Sequence, residues 1–334
     1  MTTKAASGTT DITADAVALQ ERDDFRAQGW LKIIAPAKVN LHLAIGARRD
    51  DGYHNAVTIM HALTLHDIVY MRHMVPDTPE TQEALEQGRP FVRMVSCGDV
   101  IAPDVPIEQN IAVRAVIELA QQIGRDNAAL QLRIEKNIPA QGGLGGGSAN
   151  AAAALIGAAH LWGLAADDPA IERAAQALGS DVAFFLHGGC SCYEGTGEVF
   201  LHALEPSKQA VALVKPAGGV STAQAYRTFD EAPAPIPDEI ARAARSATSA
   251  REVALFNNLA GASEQLMPEL AHIRAWLDEQ PGVEGSLLCG SGATTFALCG
   301  DFSQACAVVA EARKLGYWAR ATSFGSLRAM IVST

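Results

Sequence analysis

The chain is poor in paired cysteines, in positive charge and in long apolar runs, and each shortage removes a class of function. Its six cysteines, Cys97, Cys190, Cys192, Cys289, Cys299 and Cys306, form neither a C-x-x-C pair nor the dense spacing of a disulfide scaffold. They read as reduced, mostly buried thiols of a cytoplasmic protein. With 26 Lys and Arg against 37 Asp and Glu the formal net charge is −11, which leaves no broad basic field for nucleic acid or an anionic membrane. A phosphorylated ligand must then be held by a local cluster. The longest small-apolar run, 151–166, is too short and alanine-rich to span a bilayer and is interrupted by His160 and Gly163. The opening M-T-T-K-A-A-S-G-T-T-D lacks the apolar centre of a secretory signal and carries acids that a transit peptide avoids, so a cytoplasmic location is expected.

Familiar nucleotide signatures are missing too. There is no G-x-x-x-x-G-K-[ST] loop, no G-x-G-x-x-G fingerprint and no H-R-D or D-F-G pair. What is present is P-A-Q-G-G-L-G-G-G-S-A-N-A-A-A-A-L, Pro139 to Leu155, with five glycines between Gly142 and Gly147 and then an abrupt change to strong helix formers. Glycine allows backbone torsions and close approaches that side chains forbid, so successive N–H groups can converge on an anion. Ser148 suits a helix start, where unpaired N–H groups and the helix dipole favour phosphate. The plainer alternative is a close-packed turn ahead of a core helix.

At 334 residues, 49% hydrophobic and 19% charged, the chain is of a length for two domains. Residues 1–29 read as a mobile extension with a short helix around Ala16 to Gln28. Trp30 to Gly46 alternates as a strand, placing Val39, Leu41 and Leu43 on one face and Lys38, Asn40 and His42 on the other, which could look into a cleft. Asp50-Asp51-Gly52 marks a turn, and a second strand runs from Tyr53-His54 towards Val69. Pro76 to Pro106 reads as surface loops around one short strand, Phe91 to Ser96. Asn110 to Gln122 is expected as a helix and Leu130 to Lys136 as the strand that feeds the glycine loop.

Beyond the loop, Asp167 to Leu178 and then Gly179 to Leu186 read as helices, the second with Ser180 as cap and Asp181 in its first turn. A short hairpin follows. Val211 to Lys215 is a buried strand, Asp230 to Glu252 loses pattern, and a set of alternating helices and strands closes with one strand from Ala319 to Val332. The expected boundary lies near residue 200, dividing 30–200 from 201–334. No internal repeat is visible.

Phosphoryl transfer requires cradled phosphates, an aligned acceptor hydroxyl, neutralised charge and usually a carboxylate to accept a proton. Lys38 and Asp181 are the candidates for the last two roles. A helix-start acid and a solvated strand lysine are the ordinary explanations of the same residues.

Taken together, A-P-A-K-V-N-L-H-L, D-G-Y-H, the glycine loop, G-S-D-V-A-F-F-L-H-G-G, K-P-A-G-G-V-S-T-A-Q-A-Y and G-S-G-A-T-T-F, spread from residue 35 to 296, resemble the GHMP kinases. The resemblance implies an α+β fold of two domains: an amino-terminal ATP-binding domain with a left-handed βαβ unit and a smaller carboxy-terminal α/β sandwich. It implies ATP held by Pro139, Ala140, Gln141, Gly142, Gly143, Leu144, Gly145, Gly146, Gly147, Ser148 and Ala149, with Mg²⁺ arriving on the nucleotide and no protein metal site. Asp181 would be the base and Lys38 its orienting, charge-offsetting neighbour. P-A-K-x-N with D-G-Y-H points to the branch whose acceptor is cytidine diphosphate methylerythritol: Asn40 would bind that substrate, His54 would read the cytosine edge, and Tyr53 and Tyr226 would supply aromatic faces. The chain is expected to be a monomer or weak homodimer. Mevalonate or homoserine as acceptor, and a catalytically inactive nucleotide sensor, remain the alternatives. Gln141, Ala149, Ala183 and Ala293 depart from the family's usual pattern.

Overall fold

Two long strands set the frame of the protein, which we describe from a computed structural model covering residues 29–98, 100 and 105–332. Residues 1–28 of the expected extension, with its helix, lie outside the described residues. β1 (Leu31–Arg48) and β2 (His54–His73) pair antiparallel across the Asp50-Asp51-Gly52 turn, from Leu31 opposite Met71 to Arg48 opposite His54, with the register shifting at Pro36/Lys38, Asn40/His42 and Ile45/Arg48. The pairing slips between Asn40 and His42, leaving Leu41 without a partner. One extra residue reverses which face the side chains that follow it occupy, up to the next shift after Ile45. The expected shared face of Val39, Leu41 and Leu43 is therefore corrected: Val39 and Leu41 pack into one cluster and Leu43 into another.

Pro76 to Pro106 holds more order than its composition suggested. Thr78 accepts a hydrogen bond from Thr81 N and caps α1 (Pro79–Glu86), whose first residue is a proline. That Thr-Pro-Glu start is a helix signal. After β3 (Phe91–Gly98), α2 (Ile111–Gln122) is capped by Asn110, and β4 (Ala129–Lys136) returns parallel to β3 and antiparallel to β2. β3, α2 and β4 thus make a βαβ unit. Next comes α3 (Gly146–Leu161), which is apolar on nearly every side. It runs through the core, with Ala151 to Leu155 fully buried, as all-round apolarity demands. Gly157 gives it close approach to β2, since a Cβ there would meet Met71 Sδ at 2.4 Å.

α4 (Pro169–Leu178) starts at the Asp168 cap, and α5 (Ser180–His187) follows at once. Gly179, with φ of 148°, occupies the cap position, so Ser180 is the first helical residue and not the cap expected of it. The hairpin of β5 (Cys190–Glu194) and β6 (Val199–Leu204) extends the first sheet from β2.

β7 (Ala210–Lys215) opens a second sheet. The chain then forms α6 (Thr222–Glu231), α7 (Asp238–Ser246), β8 (Phe256–Asn257), α8 (Ala260–Leu266), α9 (Glu269–Asp278), β9 (Val283–Leu288), β10 (Thr295–Cys299), α10 (Phe302–Lys314), β11 (Trp318–Ser323) and β12 (Met330–Ile331). The second sheet is antiparallel in the order β11-β7-β10-β9. α7 corrects the patternless reading of Asp230 to Glu252; its alanines and charges bury only Ala244. The expected closing strand is also corrected. β11 stays in the second sheet, whereas β12 crosses back to pair with β1, and β8 lies parallel to β1. Val39, Ile59, Ile138 and Leu144 of the first part and Leu213, Leu287, Phe296 and Phe324 of the second form one buried cluster, so the two sheets share a core.

Candidate active site

The glycine loop runs from the end of β4 to α3, and its start is anchored from below. Asp67, wholly buried, takes the Lys136 ammonium on one oxygen and the N–H groups of Asn137 and Ile138 on the other, at 2.6 and 2.8 Å. Three donors satisfy a carboxylate that burial would otherwise make costly. Lys38 N bonds to Leu144 O at 3.0 Å and ties the loop to β1.

Several of the glycines answer to packing. A Cβ on Gly143 would lie 2.0 Å from Cys289 O, one on Gly142 2.7 Å from Thr294 Oγ1, and one on Gly145 2.7 Å from the Phe185 ring. These are contacts with the 289–294 loop and α5, and Ala293 N and Thr294 N bond back to Gln141 O and Gly142 O. Gln141 itself holds φ at 52°. Gly145, at φ of 71°, occupies the cap position of α3, so the helix starts before Ser148 and that expected start is corrected. Gly146 and Gly147 lie in the first turn, where N–H groups have no carbonyl one turn back to bond. A Cβ on Gly147 would meet only Ile111 Cγ2, at 3.5 Å.

A cavity of about 270 Å³ opens beside this turn. Lys38, Asn40, Gly143, Gly145, Asp181 and Tyr226 all line it, so the structure brings together residues that lie far apart in sequence. Lys38 Nζ is 3.4 Å from Asp181 Oδ2 and donates to Asn40 Oδ1 at 2.8 Å. Asn40 Nδ2 donates to Thr58 Oγ1 at 2.9 Å, and Thr58 donates to His42 O. This chain of bonds fixes the lysine while Asp181, its side chain 36% exposed, stays accessible. Tyr226 has its hydroxyl pKa raised by burial and then by the Asp181 charge.

Other expected residues sit elsewhere. The bulge turns His42 away from the cavity; it stacks on Phe256, and burial lowers its pKa to about 4. Tyr53 is 65% exposed on the β1–β2 turn. His54 is buried, with Nδ1 3.0 Å from Gly46 O and Nε2 3.0 Å from Asp230 Oδ1. Both partners are acceptors, so both ring nitrogens are engaged inside the protein, and the expected reading of a base edge does not fit these bonds. Pro139 and Ala149, at the two ends of the loop, are buried.

Thr58, the Thr196-Gly197 turn, Thr222, Gly290 and Ser291 also line the cavity and were not singled out as site residues. Thr222 and Ser291 share a hydrogen bond of 2.9 Å. Gly290-Ser291 begins a motif that the sequence does display, and Thr58 stands opposite Leu43 on the paired strand.

The sequence matches the profile described as GHMP kinases N terminal domain over residues 110–189 and that of the GHMP kinases C terminal over 238–317. The chain belongs to the GHMP kinase family, and it is a phosphotransferase of that two-domain fold. Within the family it is similar to proteins named 4-diphosphocytidyl-2-C-methyl-D-erythritol kinase. That of Desulfitobacterium hafniense is 34% identical over 291 residues, covering 86% of this chain and 93% of the relative, and that of a Nocardioides species is 38% identical over 292 residues, covering 85% and 93%. A solved 4-(cytidine 5'-diphospho)-2C-methyl-D-erythritol kinase superposes with a TM-score of 0.70 at 28% identity, over 88% of this chain and 99% of that one. Homoserine kinase from Cytophaga hutchinsonii shares the fold, at 17% identity and a TM-score of 0.65 over 91% and 98%. Among the described residues no helix is long and apolar enough to cross a membrane.

Proposed function

We propose that the protein transfers the γ-phosphate of ATP to the 2-hydroxyl of 4-diphosphocytidyl-2-C-methyl-D-erythritol, a step of the non-mevalonate route to isopentenyl diphosphate. The observation that carries this is the placement of Lys38 and Asp181, 3.4 Å apart, in one cavity with Gly143 and Gly145, in a chain whose relatives bear that kinase's name. The change from the first sheet at β6 to the second at β7 supports dividing the chain near residue 200, with the cavity between the two parts.

The backbone N–H groups of Gly146, Gly147 and Ser148 hold the phosphates at the start of α3, and the glycine loop around them shapes the approach. Mg²⁺ fits as a passenger of the nucleotide. Mg²⁺ commonly takes phosphate and water oxygens and would arrive with them. When bound it supplies neutralisation of phosphate charge. Asp181 accepts the proton of the acceptor hydroxyl as that oxygen closes on phosphorus. Lys38, held by Asn40, orients the Asp181 carboxylate and offsets charge that builds on the transferring group. Asn40, itself braced by Thr58, borders the acceptor's place, and Tyr226 with Tyr53 flanks the cytidyl end.

The test is ADP production from ATP measured in parallel with the cytidyl substrate, mevalonate and homoserine, with the product's phosphorylated carbon assigned by phosphorus NMR. Turnover confined to the cytidyl substrate is expected. Turnover of mevalonate or homoserine alone would replace this reading, and turnover of none would favour a nucleotide sensor.

A further inference from the structure

Helix α6 carries a seat for the His54 ring that the transfer reaction does not use. The His54 ring lies 5.4 Å from the Tyr226 ring in a tilted arrangement and 6.0 Å from the Phe229 ring edge-on, and its Nε2 is 3.0 Å from Asp230 Oδ1. Tyr226 and Asp230 are one helical turn apart and so share a face of α6. His54 comes from the other part of the molecule: it starts β2, directly after Tyr53 and the turn. Nδ1 bonded to Gly46 O holds the ring upright against β1. The second oxygen of Asp230 faces Arg48 Nη1 at 3.5 Å, and Arg48 Nε reaches Gly52 O at 3.3 Å, so the same carboxylate also touches the base of the turn. Arg48 is 62% exposed and adds little; the His54 side chain is 6% exposed, so its contact carries the connection.

We propose that Asp230 is a positioning residue for acceptor specificity: through His54 it clamps the turn bearing Tyr53 to the helix bearing Tyr226, and so sets the gap into which a pyrimidine ring fits. This rests on the function proposed above. The aromatic residue next to each end of the clamp is the one that would meet the base, so loosening the clamp misplaces both faces at once. The glycine loop, Lys38 and Asp181 are joined to each other through β1, the 289–294 loop and α5, and not through Asp230. The effect is therefore confined to one substrate.

Steady-state kinetics of Asp230→Asn, with Kd values for CDP and ADP, tests the clamp. Asparagine keeps the shape but replaces a charged acceptor, and we expect KM for the cytidyl substrate and Kd for CDP to rise about tenfold, with kcat, KM for ATP and Kd for ADP within about twofold. Asp230→Glu, which restores the carboxylate, should recover much of the loss. The double variant with His54→Gln should be no worse than the worse single variant, because one contact cannot be lost twice. Wild-type KM in Asp230→Asn, an equal rise for ATP and the cytidyl substrate, or multiplicative losses in the double variant would each overturn the clamp while leaving the activity standing. Wild-type protein that neither turns over the cytidyl substrate nor binds CDP would overturn both readings.

Discussion

Lys38 Nζ stands between two oxygens, Asn40 Oδ1 at 2.8 Å and Asp181 Oδ2 at 3.4 Å, and the longer contact is to the residue that must remain reactive. An ammonium held mainly by the amide orients the carboxylate without sealing it. Replacing Asp181 by Asn keeps size and much of the hydrogen bonding but removes the proton acceptor. Turnover should fall by about 10²- to 10⁴-fold, with substrate affinity within roughly tenfold. Near-normal kcat in a folded Asp181→Asn protein would return Asp181 to the status of a helix-start acid. Lys38→Met should also lower kcat, and the double variant should lose much less than the product of the two single losses, since both act on one proton transfer.

Gly147 is the position at which to test phosphate binding. A Cβ on Gly146 would lie 2.9 Å from Ile138 Cγ2, so a valine there disturbs the fold, whereas a Cβ on exposed Gly147 makes only an ordinary contact with Ile111 Cγ2 at 3.5 Å. Gly147→Val should leave the thermal midpoint nearly unchanged while raising KM for ATP by about tenfold or more, by crowding the first turn of α3. Unaltered ATP kinetics in that variant would remove the loop from the nucleotide site.

His54→Ala empties the seat on α6. It should weaken the cytidyl substrate by roughly 5- to 150-fold, the loss expected for one buried hydrogen bond, and leave KM for ATP close to its starting value. A matching loss for both ligands would indicate general disruption.

Acid should destabilise the fold through two buried histidines. Burial lowers the pKa of His42 and of His61 from 6.5 to about 4, opposed by a backbone carbonyl in each case and, for His42, aided by the Arg245 charge. His61 Nε2 accepts from Ser207 N, and a proton there would break that bond. Between about pH 6.5 and 4 the unfolded chain binds protons that the folded one refuses. Stability from these rings is thus complete above pH 6.5 and is lost as pH falls towards 4, by roughly 3 kcal/mol for each ring. Urea unfolding at a series of pH values should show His42→Gln with a shallower acid slope than wild type; identical slopes would refute the assignment.

The parts of the fold legible in sequence were those where pattern and packing agree. β1, α2, β4 and the buried α3 were all readable from alternation or helix-forming runs. The bulge at Leu41 was not, because an inserted residue leaves composition unchanged and becomes visible only when the partner strand is in place. Hence Lys38 and Asn40 line the cavity and His42, beyond the bulge, does not. α7 leaves little trace in the sequence because, with a single buried alanine, it has almost no apolar stripe to display. The commitment of His54 to Asp230 depends on a tertiary contact between residues far apart in sequence, for which no local spacing stands.

The return of β12 to β1 bears on how the chain is made. Ile33 pairs with Ile331, and Lys32 O accepts from Val332 N at 2.9 Å, so the edge of the first sheet is completed by residues synthesised long after β1. β8, from beyond the start of the second sheet, covers a second short stretch of the same edge at His42 and Leu43. An amino-terminal fragment emerging from the ribosome would present β1 with its outer hydrogen-bonding groups bare, an edge open to pairing with another nascent chain. Separately expressed halves should therefore aggregate, and the intact protein should melt in a single cooperative transition.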